Sequence, residues 1–213
     1  MTEVSKILGV ILAGGAATRM FPHPQGGDKG LADLGGEPLL AHVIARVRPQ
    51  VQHLILNANG DAARFQSFGL DVVADDPQCP ARGPLAGLVT AMHYAERSGH
   101  HFEAIATVTT DCPFVPHDLI QRLLTRFQSA PVLAASAGSR HPAIGLWPVL
   151  ARDAVQMAAD SGDWSLGRLV DQLNGIAVDF PLCKVDKESI DPFFNANTED
   201  DLARARMFLS AKG

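Results

Sequence analysis

The stretch "ILGVILAGG", Ile7–Gly15, decides the fold. Ile7–Leu12 is a short β-branched apolar run that stops at Ala13-Gly14-Gly15. Apolar side chains at consecutive positions suit a strand covered on both faces, the habit of parallel sheets. The run is too short for a signal peptide or a membrane span. After it, "GGAATRMFPHPQGGDKGLADLGG" (Gly14–Gly36) has no clear apolar periodicity and carries Arg19, Asp28 and Lys29 among its glycines. A long, charged, glycine-rich loop directly after a buried strand needs a reason.

Outward from that strand, the signals alternate. A helical stripe (Leu39, Leu40, Val43, Ile44, Val47) opens on Pro38. Further strands are expected at His53–Asn57, Leu70–Ala74, Ala104–Thr109, Val132–Ala135, Ala143–Trp147 and near Ile176–Phe180. Helices are expected at Asp61–Phe68 (ended by Gly69), Pro84–Arg97, Pro116–Gln128, Val149–Ala159, Ser165–Gln172 and Thr198–Leu209. Thr198 is a good N-cap, and Asp200 and Asp201 suit the first turn. Alternating strands and helices with apolar strands define an α/β protein: a single-domain, three-layer α/β/α, Rossmann-like fold on a mostly parallel sheet, spanning residues 1–213.

In such sheets ligands bind outside the carboxyl ends of the strands. Polar residues cluster there: Gly14, Gly15, Arg19 and Lys29 after the first strand, Asn57 and Asn59 after the second, Asp75 and Asp76 after the third, Asp111 after the next strong one.

Composition narrows the function. Hydrophobic residues make up 46% and charged residues 19%, enough for a buried core and against disorder. A net charge of -5 makes for a poor non-specific nucleic-acid binder, which needs a basic footprint, while leaving room for a local basic pocket. The 3 cysteines (Cys79, Cys112, Cys183) are odd in number and lack CxxC spacing, which fits a reducing cytoplasm and no zinc site.

The loop matches neither a Walker A motif nor GxGxxG. Its glycines suit a phosphate contact, although on the glycines alone a tight turn is the favoured reading. Lys29 says more, because it is the only lysine between Lys6 and Lys184 in a chain that otherwise uses arginine. A compact ammonium suits phosphate, although a solvated loop lysine is the plainer reading. Asp111, in "TTDCPFVP", follows a strand and precedes the helix by several residues, so capping explains it poorly and a Mg²⁺ ligand explains it better. His141 precedes a strand and is a further candidate.

Taken together, "LAGGAATRM…DKGLADLGGEPLLAHVIARV", "LILNAN", "GLDVVADD", "GPLAGL", "TTDCPFVP" and "FFNANTEDDL" resemble the molybdenum cofactor guanylyltransferases, from Ile7 to Leu209. That resemblance implies one nucleotidyltransferase domain, cytoplasmic, moving GMP from GTP to the terminal phosphate of molybdenum-loaded molybdopterin with release of pyrophosphate. It implies Mg²⁺ on Asp111, a nucleotide-binding loop at Leu12, Ala13 and Gly14, a phosphate-binding Lys29 helped by Arg19, and further GTP contacts at Asn57 and Asp75. Gly83–Gly87 would lie beside the nucleotide, and Asn195 and Asn197 near the active site. It further implies transient contacts with cofactor-synthesis and acceptor proteins, a monomer, and no membrane or nucleic acid. Arg140, His141 and Trp147 are the candidates for the pterin.

One departure stands out: "FPHPQGG" between Met20 and Asp28 is longer than the family pattern, and its aromatic-proline pair echoes the sugar-phosphate nucleotidyltransferases. A cytidylyltransferase for the same pterin, a sugar-phosphate nucleotidyltransferase and a non-catalytic nucleotide-binding regulator are the rival readings.

Overall fold

The computed structural model describes residues 3–13, 28–185 and 188–210. Gly14, Gly15, Arg19 and the Phe21–Gln25 insert lie outside the described residues. In chain order the elements are β1 (Ile7–Leu12), β2 (Asp33–Leu34), β3 (Glu37–Pro38), α1 (Leu39–Val47), β4 (His53–Asn57), β5 (Asp71–Val73), α2 (Pro84–Arg97), β6 (Ala104–Thr109) and α3 (Leu119–Leu124). They continue with β7 (Val132–Ser136), β8 (Ser139–Pro148), α4 (Arg152–Ser161), α5 (Leu166–Gln172), β9 (Ile176–Asp179), β10 (Cys183–Val185), β11 (Glu188–Ile190) and α6 (Glu199–Ser210).

The main sheet has 7 strands in the order β5-β4-β1-β6-β8-β7-β9. All its pairings are parallel except those of β8, which runs antiparallel to both β6 and β7. β1 is buried along its whole length, as its apolar run demands. Ile7 and Ile11 face the layer of α1 and α3, whereas Leu8, Val10 and Leu12 face α2, α4 and α5. A smaller core seats α6 on the β2–β3 hairpin through Leu34, Leu39, Leu202, Ala205 and Phe208. Among the described residues no helix is long and apolar enough to cross a membrane.

Several elements differ from expectation for local reasons. Residues 62–68 form a 3₁₀ helix, not an α-helix; Asp61 caps it through Ala63 and Gly69 (φ 60°) ends it. The tighter winding stacks i and i+3, bringing Phe65 and Phe68 together with ring centroids 6.4 Å apart. Only Leu119–Leu124 of the expected Pro116–Gln128 helix is α-helical; i→i+3 bonds at both ends (Leu119 to Pro116, Phe127 to Leu124) replace the flanking turns. The strand expected at Ala143–Trp147 begins earlier, at Ser139. Ala137 (φ 48°) and Gly138 (φ 78°) make a two-residue hairpin from β7 into it. The register shifts between Leu133 and Ala134, opposite the segment holding Pro142, which cannot donate to the ladder.

Candidate active site

The chain order β1, β4, β5 builds the sheet one way, and β6 then starts it the other way from β1. The switch point therefore falls between β1 and β6, and the crevice outside their carboxyl ends is the place for a ligand. A cavity of about 180 Å³ opens there. Leu12, Ala13, Asn57, Thr109, Thr110 and Asp111 line it from the strand ends, Asp28 and Lys29 from the loop, Gly83 and Pro84 from the start of α2.

Lys29 and Asp111, far apart in sequence, meet here. Lys29 Nζ lies 3.3 Å from Asp111 Oδ2 and donates also to Asn197 Oδ1. Both side chains of the ion pair are mostly buried, at 21% and 18% exposure. Two features hold Lys29. Asp28 caps the 3₁₀ turn Lys29–Leu31 by accepting from the Gly30 N–H (3.1 Å), and the other oxygen of Asp28 pairs with Arg64 Nε (3.4 Å). Arg64 in turn donates to the carbonyls of Asn59 and Asp61, pinning the loop's return to the end of β4.

A strap from Asp191 to Asp201 closes the Asp111 side. The Ala196 N–H donates to the Asp111 carbonyl (2.9 Å). Cys112 Sγ donates to Asn195 Oδ1 (2.8 Å) and approaches the Phe193 carbonyl at 3.6 Å. Burial, reinforced by the charge of Asp111, pushes the Cys112 thiol far up, so it is a donor and not a thiolate nucleophile. Thr198 Oγ1 accepts from the Asp201 N–H while Asp201 Oδ2 accepts from Asn197 and Thr198 N–H, a reciprocal cap on α6 that fixes Asn197.

On the other side, Asn57 Nδ2 donates to the Val73 carbonyl (3.1 Å) and to Asp75 Oδ1 (2.8 Å). Both hydrogens are thus engaged, and Asn57 offers the cleft only its Oδ1 acceptor. Asp75 does not line the cavity. It braces Asn57 from behind, accepting also from Asn59 and Thr90. The Ala13 N–H is already bonded to the Asn57 carbonyl (2.9 Å), so it does not point at a ligand.

Of the pterin candidates, Trp147 is a correction: it is fully buried, with Nε1 donating to Thr107 Oγ1, and fills the core. Arg140 makes an exposed two-pronged pair with Asp171. His141 is half-buried beside Ser136 and Phe193. Sequence reasoning missed Arg64 and the bracing role of Asp28. The signals were slight: Asp28 directly precedes Lys29, and Arg64 lies in the short helix after β4.

A crevice at the switch point with a lysine, a carboxylate and no nucleophile elbow defines a nucleotide-handling α/β protein. Residues 9–176 match the MobA-like NTP transferase domain. Curated relatives named molybdenum cofactor guanylyltransferase come from Bradyrhizobium sp. (43% identical, covering 96% of this chain and 93% of the relative) and Nitrobacter hamburgensis (40%, covering 99% and 98%). The chain belongs to the MobA-like NTP transferases, in their molybdenum cofactor guanylyltransferase branch. The crystal structure of molybdopterin-guanine dinucleotide biosynthesis protein A from Archaeoglobus fulgidus has the same fold, with TM-score 0.69 at 24% identity over 96% of this chain and 98% of that one.

Proposed function

We propose that this chain transfers GMP from GTP to the terminal phosphate of molybdenum-loaded molybdopterin, releasing pyrophosphate. The observation that carries this reading is the meeting of Lys29, Asp111 and Asn197 at the switch point. The full-length relatives of the same name support it.

The chemistry asks little of acids and bases. The nucleophile is a phosphate monoester with a second pKa near about 6, so it is ionised at neutral pH. The task is to bring two anions into line and absorb charge on the leaving pyrophosphate. An ammonium has three donors; Lys29 uses two on Asp111 and Asn197, which leaves one for a phosphate oxygen. Asn57, locked by Asp75, presents a fixed acceptor to a donor group of the nucleotide. Gly14 and Arg19 complete the loop on the family pattern.

Asp111 fits Mg²⁺ by donor chemistry: a hard carboxylate at the cleft with the carboxamide oxygen of Asn197 close by, where Mg²⁺ takes one or two carboxylates plus water and phosphate. Bound there, the cation supplies neutralisation of triphosphate charge.

Pyrophosphate release, measured with GTP, CTP or ATP, with and without the pterin acceptor, and with Mg²⁺ or EDTA, tests the reading. Release requiring GTP, acceptor and Mg²⁺ together is expected. Lys29→Ala and Asp111→Ala should each lower it about 100-fold or more while leaving the circular dichroism spectrum intact. Release with CTP alone would make the chain a cytidylyltransferase, and GTP binding without release would make it a regulator.

A further inference from the structure

We propose that His141 binds the pterin ring of the acceptor through Nδ1, with Ser136 and Asp191 as its positioning residues. The proposal rests on the guanylyl-transfer reading above and assigns the acceptor's side of the site.

Ser136, fully buried at the carboxyl end of β7, has its Oγ 2.7 and 2.8 Å from the two carboxylate oxygens of Asp191 and 2.7 Å from His141 Nε2. A serine has one proton to give. The carboxylate only accepts, so the serine proton goes to Asp191 and the serine oxygen accepts from Nε2–H. This fixes the imidazole's orientation and tautomer. Nδ1 is left with no hydrogen-bond partner among the described residues. Among the described residues no buried side-chain nitrogen or oxygen lacks a partner, so Nδ1 is reached by solvent and open to a ligand.

Its place in the fold says which substrate meets it. The nucleotide's proposed contacts lie at the ends of β1 and β4 and in the loop before β2. His141 lies on β8, paired with Ala134 of β7 and on the far side of β6 from β1, so β1 and β8 are two strand spacings, about 10 Å, apart. The same strap that reaches Lys29 reaches His141. Asp191 accepts from the Phe193 N–H (2.8 Å), the Phe193 ring packs on the imidazole (centroids 4.8 Å apart), and the Phe193 carbonyl meets the Cys112 thiol beside Asp111. The acceptor phosphate must reach the reaction centre between these two sides, and its ring is then left on the β8 side. Burial lowers the proton affinity of His141, outweighing the opposite pull of Asp191, so Nδ1 carries a lone pair. A lone pair matches the N–H groups of an aminopyrimidinone ring.

His141→Gln keeps a donor for Ser136 and loses the Nδ1 acceptor; His141→Asn keeps an acceptor near Nδ1 and loses the bond to Ser136. With molybdenum-loaded molybdopterin as acceptor, His141→Gln should raise the acceptor KM about tenfold, with GTP affinity by calorimetry and thermal stability near wild type. His141→Asn, which keeps an acceptor but loses its Ser136 anchor, should raise the KM less than His141→Gln does, and an equal or larger rise counts against the proposal. An unchanged acceptor KM in His141→Gln, or an equal loss of GTP affinity, overturns the proposal. Should His141→Gln fold poorly, Ser136→Ala releases the imidazole and should raise the same KM, and no rise there counts against the proposal too. Wild-type protein that releases no pyrophosphate from GTP with this acceptor would instead sink the guanylyl reading.

Discussion

Asn57 is a small case of how tightly single residues are constrained here. A Cβ at Gly87 would come within 2.5 Å of both Asn57 Oδ1 and Leu12 Cδ2. Gly87→Ala should therefore displace Asn57, lowering stability by about 1–3 kcal/mol in urea unfolding and weakening GTP binding by calorimetry. Native-like affinity would mean that Asn57 has no part in holding the nucleotide. The cysteines make a second residue-scale case. Burial raises the thiol pKa of Cys79 and Cys112, and both are buried, whereas Cys183 is half-exposed. A thiol reagent at neutral pH should modify Cys183 quickly and the other two only after denaturation, as mass spectrometry of the labelled chain would reveal. Lys29 and Asp111 were legible in the sequence because each is odd in its setting, one by rarity, the other by following a strand without capping a helix. The brace of Asp75 on Asn57 was not legible as a brace. It depends on the register that sets β5 parallel beside β4, with Asn57 opposite Val73, which local pattern does not give.

Elements carry the site as much as residues do. The Thr198–Asp201 cap on α6 holds Asn197 against Lys29. Thr198→Ala should cost about 1 kcal/mol of stability, the usual worth of an N-cap, and should lower the rate of pyrophosphate release more than its effect on melting temperature would suggest. An unaltered rate with lowered stability would restrict the cap to the helix. Most elements were legible because apolar runs and stripes mark buried faces directly. Those misread were decided by neighbours. Gln50 Oε1 accepts from the Ile120 N–H and its Nε2 donates to the Pro116 carbonyl, so a distant side chain sets where α3 begins. The hairpins β2–β3 and β10–β11 are too short for alternation to register.

At the scale of the molecule, the antiparallel β8 divides the carboxyl edge of the sheet in two. The β1–β6 crevice lies on one side, and the Ser136–His141–Asp191 group on the other. That second group links function to global stability through pH. The folded-state pKa of His141 is lowered, first by burial, while Asp191 partly opposes. The facing groups are Ser136 and Asp191; Arg140, next in the strand, is committed to Asp171, whose carboxyl it holds below the usual range. A lowered histidine pKa means that the unfolded chain takes up this proton first as pH falls. The corresponding stability is present above the unfolded pKa of about 6.5 and drains away as pH drops through the lower folded value. Wild-type protein should therefore lose ground to His141→Gln on going from pH 7.5 to about 5, because glutamine does not titrate. The measurement is the difference in melting temperature between the two proteins across that range. Carboxylates elsewhere shift both curves alike and cancel in the difference. A difference constant with pH would mean that the folded protein accepts the His141 proton as readily as the unfolded chain does, and the neutral, acceptor-bearing imidazole would lose its basis.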